Sequence, residues 1–285
     1  MEKIQQAVER AKSVSGEQLR PAMTPQAATV PSEPVTMPQT VSRGARTKQP
    51  SLGHGFNEVT VNLEMLEQNR IVAHNSADPR SRAFDMLRTQ VLQTMDKQDW
   101  QFLGITSPTA DCGKSVTAVN LALSIARQPE RSALLIDMDL QRPSIADYLG
   151  IRAKHGLQGI LEGKTPLAAA LLRANVIGYE LMVLPAESST VHSSELIASR
   201  AMSTLLQDIR KDFKSRTVVF DMPPLLQGDE VLTLLPKIDC VLLVTAAGMS
   251  TQQQIVECNK HLQSTEIVRL VLNKAPQTAA TPYYY

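Results

Sequence analysis

From Trp100 onward, short apolar runs alternate with longer amphipathic stretches. The runs are FLGIT (102–106), ALLID (133–137), LMVL (181–184), VVFD (218–221), VLLV (241–244) and IVRLVLN (267–273). An apolar run of this length without polar alternation belongs to a strand covered on both faces. Between the runs, 115–127, 193–213 and 251–262 read as helices. Strands alternating with helices predict βαβ units, and therefore an α/β fold: a mostly parallel sheet flanked by helices on both faces. No internal repeat is present.

The pattern fails before Trp100. Residues 21–50 hold six of the 17 prolines, spaced by Thr, Ser, Gln and Ala. Such a segment cannot bury a packed face and reads as a disordered linker. A short charged helix over about 2–19 is expected ahead of it. The organisation expected is residues 1–56 mostly disordered, 57–99 a helical lead-in, 100–274 the α/β domain and 275–285 a flexible tail.

Composition removes some function classes. With a net charge of +1 and 20% charged residues, no basic stripe marks a nucleic-acid partner. No window of about 18 apolar residues predicts a transmembrane helix, and the charged start lacks the apolar core of a signal peptide. Cys112, Cys240 and Cys258 match neither a disulfide framework nor a zinc site, so a reducing, cytoplasmic setting is expected.

The strand FLGIT runs into SPTADCGKS, and a helix follows. Strand, tight loop, Gly-Lys-Ser and helix form the context of a P-loop, although Pro108 stands where the full pattern has its first glycine. Loop amides and the helix N-terminus make a positive cradle for phosphates. The cradle residues are Thr109, Ala110, Asp111, Cys112, Gly113, Lys114, Ser115 and Val116. Lys114 reaches the outer phosphates and the Ser115 hydroxyl binds Mg²⁺. Two other strands end in acids, at Asp137 with Asp139 following, and at Asp221. Parallel strands deliver their C-termini to one edge, so three carboxylates gather where the P-loop lies. Buried carboxylates need a neutralising partner, and Mg²⁺ is one; otherwise each caps the segment that follows. Asn273 ends the last strand at the same edge, where it either reads the adenine or simply terminates the strand. Asp229 falls near the site, and His192 and Glu195 are expected to cap and start the helix at Ser193.

These residues resemble the bacterial tyrosine kinases of capsule and exopolysaccharide synthesis. Those kinases are P-loop NTPases of the class that includes septum-positioning and chromosome-partitioning ATPases. The resemblance covers roughly 82–285 and rests on SPTADCGKS, LLIDMDLQRP with Arg142, VVFDMPP, HSSELIASRAM (192–202) and VLNK (271–274). It implies an ATP- and Mg²⁺-dependent protein-tyrosine autokinase. Lys114, Asp137, Asp139 and Arg142 would be catalytic, and Ser115, Asp139 and Asp221 would hold the metal. Asp137 would orient the incoming phenol and accept its proton, and the roles of Asp137 and Asp139 could be exchanged. Arg142 would contact phosphate or acceptor.

The resemblance also gives a role to the terminal TPYYY. Tyr283, Tyr284 and Tyr285 would be phosphoacceptors offered to a neighbouring subunit in a homo-oligomeric ring. The 12 residues from Asn273 to Tyr285 can span up to about 40 Å. Each phosphate would add about −1.5 to −2 charge, loosening the subunits. A membrane polysaccharide co-polymerase or chain-length regulator on a separate chain would be the activating partner and would recruit the kinase to the inner face of the plasma membrane.

Three features depart from the family, one of them the tail, whose three tyrosines make a short cluster that is either a minimal substrate or a remnant. Asp111 stands where a left-handed glycine is usual, which predicts weak ATP affinity. The ring-forming Glu-x-x-Arg-x-x-Arg is replaced by Arg82, Asp85 and Arg88, which either bridge subunits or form a local surface pair. The alternatives to the kinase are an ATP-binding regulatory module of the same machinery and a partitioning-type ATPase.

Overall fold

The structure, a computed structural model, describes residues 56–214 and 216–276. The expected N-terminal helix, the Pro-rich linker and the tyrosine cluster lie outside the described residues. In chain order the elements are β1 (Asn57–Thr60), α1 (Leu63–Gln68), α2 (Ser81–Gln98), β2 (Phe102–Thr106), α3 (Lys114–Ala126), β3 (Ala133–Asp137), α4 (Ile145–Leu149), α5 (Leu157–Leu161), α6 (Leu167–Ala170), β4 (Leu172–Val176), β5 (Tyr179–Leu184), α7 (Ser193–Ala198), α8 (Arg200–Asp212), β6 (Thr217–Asp221), α9 (Glu230–Leu234), β7 (Cys240–Ala246), α10 (Gln252–His261) and β8 (Glu266–Asn273). A 3₁₀ turn spans Leu235–Lys237.

The described strands form one sheet in the order β1-β4-β5-β3-β6-β2-β7-β8. Only β4 and β5 pair antiparallel; every other pairing is parallel. β2, β3, β6 and β7 are buried at every residue, as their unbroken apolar runs predict. One apolar layer packs α2 and α3 against the sheet, and a second packs α8 and α9 on the opposite face. The ring of Phe102 meets Phe220 edge-on at 5.1 Å, and the Arg210 guanidinium lies 3.9 Å from the Phe102 centroid.

The structure departs from the sequence reading in three places. Residues 57–60, expected in a helical lead-in, form a strand beside β4. β4 was not expected; it is joined to β5 by Ile177 and Gly178, both left-handed at φ 41° and 88°, as a two-residue hairpin turn requires. The helix expected over 193–213 breaks at Ser199, whose hydroxyl accepts the Met202 amide at 3.1 Å and starts a new helix. His192 occupies the cap position of α7 without a side-chain capping bond.

Candidate functional site

β2 ends at Thr106, whose hydroxyl donates to the Pro223 carbonyl at 2.6 Å. The chain then turns through 107–113 into α3. Asp111 and Gly113 are both left-handed, at φ 61° and 91°. Asp111 thus adopts the conformation that glycine usually supplies there, as the sequence reading required. No side chain caps α3 and its first turn carries no acid, so its leading amides have no side-chain acceptor. Such amides, with the helix dipole behind them, attract an anion.

Lys114 is the centre of a buried charge cluster. Its Nζ donates to Asp139 Oδ2 at 2.8 Å and to Ser115 Oγ at 3.2 Å, and lies 3.6 Å from Asp221 Oδ1. Burial alone would lower its pKa, but Asp221 and Asp139 outweigh burial and hold it at about 12. Asp137 and Asp221 stand side by side on β3 and β6. Burial, then the Asp221 charge, pushes the Asp137 carboxyl up to about 7 against the pull of the Ile145 and Ser144 amides. Burial also raises Asp221, with Lys114 opposing.

The three acids are not equivalent. Asp137 accepts the amides of Ser144 at 2.9 Å, Ile145 at 3.0 Å and Asp139 at 3.2 Å, so it anchors the turn into α4. Asp139 accepts the Arg142 amide at 3.0 Å as well as Lys114. Asp221 is fully buried, and neither of its carboxylate oxygens has a hydrogen-bond partner.

A cavity of about 640 Å³ opens over this cluster. Ala110, Asp111, Gly113, Lys114, Ser115 and Val116 line it from the loop, and Asp139 and Arg142 from the segment after β3. Thr109, Cys112, Asp137, Asp221 and Asn273 are not on its wall. Thr109 Oγ1 and Cys112 Sγ lie 3.6 Å apart, and Asn273 Nδ2 donates to the Cys112 carbonyl at 2.9 Å. Asp229 sits at the start of α9 and accepts the Ser194 hydroxyl at 2.6 Å. Sequence reasoning missed Gln141, Tyr148, Glu230 and Lys274, which line the cavity. Glu230 is buried and accepts hydrogen bonds from Ser193 and Gln141. The VLNK stretch contained a signal for Lys274; nothing periodic marked the others.

Among the described residues, no group of three or more His, Cys, Asp or Glu side chains is arranged to hold a metal by itself. Lys114 occupies the space between the acids. The orphaned Asp221 oxygens beside the Ser115 hydroxyl nonetheless fit a hydrated cation shared with phosphates, the usual mode for Mg²⁺.

On α2, Asp85 is turned toward α3 and α3's C-terminus. Its Oδ1 accepts the Ser124 hydroxyl at 2.6 Å, Arg88 at 3.1 Å and the Arg127 guanidinium. Arg88 also donates to the Ser124 carbonyl at 3.0 Å. Asp85 and Arg88 therefore fasten α2 to α3.

The profile of the family described as ParA, NUBPL iron-transfer P-loop NTPase, matches residues 100–273. The chain belongs to this class of P-loop NTPases. Within it, the chain groups with the bacterial tyrosine-kinase domains. It is 30% identical to the kinase domain of VpsO, with a TM-score of 0.61 over 69% of this chain and 97% of that domain. The tyrosine-protein kinase YwqD of Bacillus subtilis is 26% identical over 77% of this chain and 92% of YwqD. EpsB of Ralstonia solanacearum is 31% identical over 67% of this chain. The chain spans about a quarter of the length of EpsB, 25%. No helix among the described residues is long and apolar enough to cross a membrane.

Proposed function

We propose that the protein is an ATP- and Mg²⁺-dependent protein-tyrosine autokinase acting on Tyr283, Tyr284 and Tyr285. The observation that carries this reading is the ion pair of Lys114 with a fully buried Asp221 beneath a cavity lined by the left-handed P-loop residues Asp111 and Gly113. Its counterpart is the 30% identity to a kinase domain across nearly the whole of that domain.

Phosphoryl transfer asks a protein mainly for positioning and charge neutralisation. The amides of α3 and Lys114 would hold the outer phosphates, and Lys114 would exchange its bond to Asp139 for one to phosphate. Ser115 and Asp221 would hold Mg²⁺, which would supply positive charge against the developing charge on the transferred group. Asp139 faces the cavity whereas Asp137 is occupied by three amides. This favours the exchange of roles left open by the sequence: Asp139 meets the phenol, and Asp137 fixes the Asp139–Ile145 turn from behind. Arg142, on the cavity wall, would meet phosphate or acceptor.

The same reading takes the protein as a homo-oligomer, with one subunit's tail entering a neighbour's cavity. It takes the protein as recruited to the inner face of the membrane by a polysaccharide co-polymerase on another chain. The names of its relatives support a capsule or exopolysaccharide setting. One observation favours a second reading, an ATP-binding regulator with little kinase activity: Asp111, an acid, lines the cavity from the phosphate loop.

Intact mass after incubation with Mg-ATP separates the two. Phosphates that map to 283–285 and vanish in Lys114→Met are expected. ATP binding without added mass favours the regulator, and turnover without added mass a partitioning-type ATPase.

A further inference from the structure

We propose that Glu230 is a specificity-determining residue of the acceptor subsite: its free carboxylate oxygen takes the hydroxyl of a tyrosine near the one being phosphorylated. The occupant is the 275–285 tail of a second copy of this chain. The inference rests on the autokinase reading of the cavity and deepens it.

Glu230 is only 2% exposed, yet it lines the cavity. Its two oxygens differ. Oε1 accepts the Ser193 hydroxyl at 2.8 Å and Gln141 Nε2. Gln141 Nε2 also donates to Ser193 Oγ at 3.2 Å, so the three side chains brace one another. Oε2 receives no donor among the described residues. It lies against Gly228, also on the cavity wall, where an added Cβ would stand 2.1 Å from it. A buried carboxylate oxygen without a donor carries a desolvation cost, and a hydroxyl brought in by a ligand offsets it.

The sheet puts this oxygen on the acceptor's side. Asp221 ends β6 and Asp139 follows β3, both on one flank of the P-loop strand in the order β3-β6-β2-β7-β8. Gln141 follows β3 and Glu230 starts α9 after β6, on that same flank. The outermost phosphate, held against Lys114 and Asp221, faces that flank, and an in-line attack comes from beyond it. Asp139 meets the phenol that attacks. Glu230 enters the cavity from a separate element and is joined through Gln141 to the segment that carries Asp139. A single tyrosine leaves Glu230 unused, whereas a run of tyrosines supplies a hydroxyl to each acid, and the chain ends in three. The subsite also distinguishes substrate from product. An unmodified neighbour donates its O–H to Oε2. A phosphorylated neighbour has lost that donor and gained about −1.5 to −2 charge, which a carboxylate repels. The first phosphate therefore makes the same tail a poorer substrate.

The test couples Glu230 to the tail. In the full chain, the tyrosine that is phosphorylated first is mapped by mass, and the other two are changed to Phe. Initial rates with Mg-ATP at the mapped site are then compared for the native and the Phe tail, each in the parent and in Glu230→Gln. Gln keeps an oxygen for Ser193 and Gln141 but turns an N–H toward the cavity. Glu230→Gln is expected to slow the native tail about three- to tenfold, the scale of one hydrogen bond. The Phe tail should be slowed by the same factor in the parent, and the two changes together should cost no more than either alone. Doubly phosphorylated tails should be scarce in the parent and relatively more abundant in Glu230→Gln. Equal slowing of both tails by Glu230→Gln would assign it a structural role and overturn the subsite, as would a Phe tail as fast as the native one. Phosphate uptake that is independent of Glu230 overturns the subsite alone. A parent that takes up no phosphate overturns the autokinase reading, and the subsite with it.

Discussion

Replacing Asp221 with asparagine should make the ligand-free protein more stable at pH 8 while removing its response to Mg-nucleotide. Lys114 Nζ lies 3.6 Å from Asp221 Oδ1. At an effective dielectric of about 20, that attraction is worth roughly 4–5 kcal/mol. Against it stand the several kcal/mol needed to bury a carboxylate and repulsion from Asp139. The carboxyl of Asp221 is raised above its ordinary range, so the balance disfavours the charged form. Asparagine removes the charge and leaves a buried amide, itself costing about 1–3 kcal/mol if unpaired. A net gain of about 1–2 kcal/mol is expected, which is common when a functional group is neutralised. At about 2–4 °C per kcal/mol for a domain of this size, Tm should rise by about 2–8 °C. The sign depends on pH. Below the ordinary carboxylate range Asp221 is protonated both folded and unfolded, so no penalty exists. As pH rises from the ordinary carboxylate range toward the raised folded-state value the unfolded chain gives up its proton first, so the penalty accrues over that interval and persists in full above it. Thermal melts of parent and variant, without ligand, at pH 4 and pH 8 test this. A variant that melts below the parent at pH 8, or gains equally at pH 4, would refute the electrostatic account of the site.

Three further outcomes are expected. Asp137, at about 7 in the folded protein, holds a proton that the unfolded chain releases near pH 4, so ligand-free stability should fall by roughly 4 kcal/mol between those pH values; urea titrations from pH 4 to pH 8 would show the slope, and a flat profile contradicts it. Asp111→Gly keeps the left-handed turn and removes a negative charge from the phosphate end, so Mg-ATP should bind about two- to fivefold tighter, and a titration with no gain counts against the assignment of that end of the cavity. Asp85→Ala leaves Arg88 and Arg127 without their shared carboxylate and should cost about 1–3 kcal/mol, read as a lowered Tm; an unchanged Tm would mean that the α2–α3 fastening is not made in solution.

The central strands could be read from the chain because both of their faces are covered, which forces an unbroken apolar run. β1 (NEVT) and β4 (LRANV) lie at one side of the sheet; β1 is exposed at Asn57, Glu58 and Thr60, β4 alternates buried with less buried residues, and neither leaves such a run. The break at Ser199 was hidden because one hydroxyl bond decides it, inside a sequence whose helical spacing continues. At the site, the acids were legible because they end parallel strands, and parallel strands share an edge. Their division of labour was not, since it depends on which oxygens meet the amides of Ser144 and Ile145. Glu230 and Tyr148 come from short helices with no motif, and topology alone carries them to the cavity. The bond from Asn273 to Cys112 joins residues far apart in the chain and has no local signature.

The order of strands across the sheet also sets when the site can exist. The P-loop strand lies between β6 and β7, with Phe102 beside Val218 and Leu103 beside Cys240, and its loop is tied to Asn273 at the end of β8. During synthesis the loop is made early, while both flanking strands and its tether are made late. A chain still emerging from the ribosome therefore carries the Gly-Lys-Ser segment without a place to bind phosphate, and competence should arrive in a single late step once β8 has docked.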